Sequence, residues 1–97
     1  MSEKKQEGQL QIEIQIDEAT AQGIYTNLAG ITHSETEFIF DFLFIQPNQP
    51  KAKLRARIIS NPIHTKRFLQ ALVENIRKYE ERFGKIPERD YTVGGHS

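Results

Sequence analysis

The 97-residue chain contains no cysteine, so no disulfide can staple it. It also has no tryptophan and one methionine. Its 13 basic and 13 acidic residues cancel, which argues against strong non-specific attraction to nucleic acid or to an anionic membrane. No uncharged apolar run approaches the roughly 20 residues of a membrane helix. The opening Met-Ser-Glu-Lys-Lys-Gln-Glu-Gly carries no apolar stretch behind its charges, so no signal peptide is read and the cytoplasm is the expected compartment. No phosphate-binding loop and no dinucleotide fingerprint occur, and no cofactor is expected.

What is present reads as one small domain. Residues 1–8 and 87–97 are polar, charged or glycine-bearing and are expected to be tails. Residues 9–86 remain for a single fold. A domain of that size buries only roughly 60–65% of the surface of its unfolded chain, so its core is thin. Without cysteine, association is the remaining inexpensive means of adding buried surface.

Four strands are predicted from period-2 patterning. Leu10, Ile12, Ile14 and Ile16 alternate with Gln9, Gln11, Glu13 and Gln15. Asp17 is placed to cap a short helical turn ended by Gly23. Residues 24–33 form a weaker second strand, in which Gly30 either weakens the ladder or leaves room for a cross-strand ring. Residues 37–46 form the third, with Phe38, Phe40, Phe42 and Phe44 on one face. Pro47-Asn48-Gln49-Pro50 turns the chain into a fourth strand over 51–59. Then the period changes. Asn61-Pro62 starts a helix, and Phe68, Leu69, Leu72, Val73, Ile76, Tyr79 and Phe83 recur on one stripe until Gly84. The expected fold is α+β: a four-stranded, mainly antiparallel sheet followed by one long C-terminal amphipathic helix packed on one sheet face.

The last hairpin has an expected register. Phe40 faces Ile58, Phe42 faces Ala56 and Phe44 faces Leu54, so every ring meets an apolar partner. On the reverse face Asp41 then lies opposite Arg57, Leu43 opposite Arg55 and Ile45 opposite Lys53. A slip by one residue would exchange the faces.

That reverse face is the candidate functional surface. Ile39, Leu43 and Ile45 form an apolar cluster around Asp41, the pattern of a self-association or partner surface. A carboxylate inside so apolar a strand calls for a partner, and Arg57 is the best placed. The fourth strand places Lys51, Lys53, Arg55 and Arg57 on one face. These four are candidate phosphate contacts, of the kind β-ribbon DNA binders use. Their plainer roles are pairing with acidic neighbours or guarding an edge strand against aggregation. His33, His64 and His96 fall in a turn, a first helical turn and a tail, without metal-ligand spacing. His33-Ser34-Glu35 holds triad residue types but no nucleophile elbow, and reads as a polar turn. No enzyme and no metal site is expected.

A longer string of residues resembles a known family. Gly23-Ile24-Tyr25, Asn27-Leu28, Ile31-Thr32-His33-Ser34, Glu37-Phe38, Asp41-Phe42, Pro50-Lys51-Ala52-Lys53, Arg57-Ile58-Ile59, Pro62, Lys78-Tyr79-Glu80 and Phe83-Gly84 are similar to small bacterial proteins of the domain of unknown function 3467 family. The resemblance covers nearly all of residues 9–84 and implies a bacterial or archaeal source. It brings no activity, cofactor or site residue. The residues themselves support a non-enzymatic interaction module, a homodimer acting through protein–protein contacts, with an unknown protein partner and no membrane. A nucleic-acid-binding dimer, using Lys51 to Arg57, is the alternative.

Overall fold

A computed structural model describes residues 11–88. The expected tail over 1–8, most of that over 87–97, His96, and the first two residues of the expected strand at Gln9 lie outside the described residues. The described chain runs α1 (Glu18–Ala21), β1 (Leu28–His33), β2 (Phe38–Ile45), β3 (Ala52–Ser60) and α2 (Pro62–Phe83).

The sheet is antiparallel, in the order β1-β2-β3. The fold is therefore α+β, with three strands among the described residues instead of four. Residues 11–16 form no ladder, and Ile12, Ile14 and Ile16 are 81%, 77% and 67% exposed. Their alternation is a strand pattern, but a strand needs a partner to satisfy its backbone groups. Neither edge of this chain's sheet receives it.

Local chemistry accounts for the element ends. The Asp17 carboxylate accepts a hydrogen bond from the Thr20 amide at 3.2 Å and so caps α1. Gly23, at φ +80°, ends that turn. Between β1 and β2 the Ser34 hydroxyl oxygen accepts from the amides of Thr36 and Glu37, each at 3.3 Å. Ser34 thus holds a tight turn, as its setting predicted. The Asn61 side chain accepts from the His64 amide at 2.7 Å, and Pro62 opens α2 behind it. Gly84, at φ +100°, ends α2 by donating its amide to Glu80 O at 3.0 Å.

Phe40, Phe42 and Phe44 share one sheet face with Ile31 and Ala29 of β1 and with Ile58 and Ala56 of β3. Helix α2 meets this face through Phe68, whose ring stands edge-on to Phe40 at 6.0 Å between centroids. Past that contact the stripe is bare. Leu69, Leu72, Val73, Ile76, Tyr79 and Phe83 are 40–66% exposed. Phe40, at 8% exposure, is the one buried hydrophobic side chain among the described residues. The expected packing of the helix along a sheet face is thus confined to its first turns. The reason is geometric. A single residue, Asn61, joins β3 to α2, and 22 helical residues without internal glycine or proline make a straight rod of roughly 33 Å.

Candidate functional site: the reverse face of the sheet

The reverse face is built around one ion pair. Asp41 and Arg57 are directly paired across β2 and β3. Arg57 Nε donates to Asp41 Oδ1 at 2.6 Å and Nη2 donates to Oδ2 at 3.1 Å, a two-pronged match of guanidinium to carboxylate. The Asp41 side chain is 28% exposed and that of Arg57 57%. The hydrogen bond from Arg57 holds the Asp41 carboxyl below its ordinary value, the guanidinium charge acts the same way, and partial desolvation opposes them. The same bond raises Arg57. The pairing predicted from the sequence is present.

Gly30 lies across from Asp41 on β1. Nothing stands within 4 Å of where its Cβ would be. No ring fills the space, contrary to one reading of that glycine. Leu28 and Thr32, its neighbours on the same face of β1, stand opposite Leu43 and Ile39.

The expected register holds from Phe38 to Phe42 and then shifts. Phe42 pairs with Ala56, but Leu43 pairs with Leu54, Phe44 with Lys53 and Ile45 with Ala52. Arg55 is the extra residue of a β-bulge. The bulge has a clear physical benefit. The unshifted register set Leu43 against Arg55 and Ile45 against Lys53. The shifted one sets Leu43 against Leu54 and Ile45 against Ala52, so apolar surface meets apolar surface. Leu54 is thereby transferred to the reverse face, and Lys53 to the Phe face beside Phe44.

Two consequences follow for the candidate residues. Ile39, Leu43 and Ile45 are brought together around Asp41, all four half-buried. Leu28, Leu54 and Ile59 join them through their cross-strand pairs. Sequence reasoning missed Leu54 because strict alternation puts it on the other face. The cations Lys51, Lys53, Arg55 and Arg57 are not brought into one row. Lys51 precedes β3, Lys53 sits with Phe44, Arg55 occupies the bulge and Arg57 is engaged by Asp41.

Asn27 is a further residue that sequence reasoning did not single out. Its amide donates to Leu43 O, its Nδ2 donates to Ile45 O, and its Oδ1 accepts from the Ile45 amide, each at 3.0 Å. The side chain thus completes the end of the β1–β2 ladder in place of a backbone unit. On the opposite face Tyr25 sets its ring edge-on to Phe44 at 6.1 Å. These two contacts pin the segment leading into β1.

Among the described residues no three His, Asp or Glu side chains are grouped to hold a metal ion. No described helix is long and apolar enough to cross a membrane. An open depression lies along the end of α2, between Ile76, Tyr79, Phe83 and Ile86. Another lies at its start, beside Ile63 and His64. Both are shallow features of the exposed helix, without a cluster of convergent polar groups.

The fold and this surface define an α+β domain of three antiparallel strands and a C-terminal helix, with apolar side chains left open on the sheet and along the helix among the described residues. The chain belongs to the family described as protein of unknown function (DUF3467), whose model matches residues 1–88. No curated protein and no solved structure matches it.

Proposed function

We propose that this chain is a non-enzymatic, cytoplasmic interaction module that works as a homodimer and acts through protein–protein contacts. One observation carries the reading. Among the described residues a single apolar side chain is buried, while the helix stripe and Ile12, Ile14 and Ile16 stand in water. Folding must offset roughly 1–2 kcal/mol of backbone entropy per residue, and one enclosed phenylalanine does not do so. A second copy offers the missing apolar surface. It uses the reverse sheet face, the helix, or both, and it leaves room for the alternating segment 9–16 to become the fourth strand.

Mass in solution at micromolar concentration is the first test. Twice 11.2 kDa is expected, and a clean 11.2 kDa species ends the dimer reading. Leu43→Glu and Ile45→Glu then ask which surface is used. Dissociation without unfolding places the reverse face in the interface, and dimers that persist in both variants place the interface elsewhere.

A further inference from the structure

We infer that the two copies exchange helices, the distal part of α2 of each lying across the Phe face of the other. This rests on the homodimer reading and names its interface.

The occupant is argued from what the chain leaves uncovered. Each copy has a bare apolar helix face and a bare apolar sheet face, and these are complementary in kind. On the sheet, Ile31 and Ile58 flank Phe40 and remain 60% and 50% exposed, so the chain's own helix does not cover the face. On the helix, Leu69, Leu72, Val73, Ile76, Tyr79 and Phe83 stay open. The rod does not bend back, because residues 63–83 include no glycine or proline to break it. A two-fold exchange covers both faces of both copies in one step.

The area is sufficient. Six side chains about half exposed, at roughly 150–250 Å² for a large ring, leave on the order of 500 Å² on each helix. Two helices against two sheet faces then remove roughly 2,000 Å², the size of a stable dimer interface. The charges agree with this orientation. Arg77 donates to Glu74 at 2.8 Å and to Glu81 at 2.9 Å, along a different helix face from the stripe, so these pairs keep their water when the stripe is covered.

The test is complementation between two full-length variants. Ile76→Glu spoils the helix stripe, and Ile31→Glu spoils the sheet face. Both residues are exposed in the single chain, so neither substitution removes an enclosed contact within it. Each variant alone is expected at 11.2 kDa. An equimolar mixture is expected to recover a mixed dimer, because one of its two helix–sheet contacts is wild type on both sides. A mixture that stays monomeric, or an Ile31→Glu variant that dimerises alone, overturns the exchange while leaving a wild-type homodimer intact. A monomeric wild type removes both readings. Should either variant fail to fold, Ile76→Cys decides, since the chain has no other thiol. Its labelling is expected to be slow in concentrated protein and fast after dilution. A rate independent of concentration overturns the exchange.

Discussion

The carboxamide of Asn27 occupies the place of a ladder rung, giving and taking one hydrogen bond with Ile45. Asn27→Ala removes both and should lower unfolding free energy by about 1–2 kcal/mol, read as a shift in urea midpoint. Asn27→Asp keeps the acceptor but sets a carboxylate oxygen against Ile45 O in place of the donor, so it should cost at least as much. Asp41 makes a pH prediction. Its carboxyl is held below its ordinary value in the folded chain, so the unfolded chain binds its proton first as the solution is acidified. The stability it contributes is complete above the ordinary carboxylate value and is lost as pH falls through the depressed folded one. In Asp41→Asn the slope of stability against pH over that window should flatten. The Asp41–Arg57 pairing was legible from residue types, because a lone carboxylate in an apolar strand has few partners. Asn27 was not, because a side chain imitating backbone leaves no pattern.

Elements divide by whether their signals are local. Helix α2 was legible to its end residues, since Asn61, Pro62 and Gly84 each act on their nearest neighbours. Asn61→Ala should cost about 1 kcal/mol by freeing the His64 amide. Gly84→Ala meets no neighbour within 4 Å, so its cost is conformational. With φ +100° and ψ 165° it should destabilise by about 1–3 kcal/mol, measured by thermal or urea unfolding. The bulge at Arg55 was not legible. Alternation in β3 is equally regular with or without it, and only the pairing of Leu43 with Leu54 decides. The segment 11–16 shows the same limit in a stronger form. Its period marks it as a strand, yet no pattern within it says what it pairs with. Amide exchange should find residues 11–16 unprotected in the isolated chain and protected wherever a partner supplies the rung.

At the scale of the whole molecule, the sequence foretold the class, α+β, the helix, and the positions of the last two strands, while the strand expected over 24–33 is paired only from Leu28 to His33. It did not foretell how little the helix and sheet touch. The stripe is the same whether its cover comes from this chain or another, so helical periodicity alone carries no information on which. The dimer reading predicts that the melting temperature rises with protein concentration, because only the associated form buries the stripe. A melting temperature unchanged over a hundredfold concentration range would count against it.

The bare stripe of α2 also bears on how the protein lives in a cell. On the dimer reading, a newly made chain exposes leucine, isoleucine and aromatic side chains together until it associates, the surface that chaperones and proteases survey. Synthesis below the association threshold should therefore yield short-lived chains, and synthesis above it long-lived ones. Pulse-chase turnover at two expression levels would read this directly. The amount of protein would then respond to its gene's output more steeply than in proportion, a dosage filter set by the exposed face of one helix.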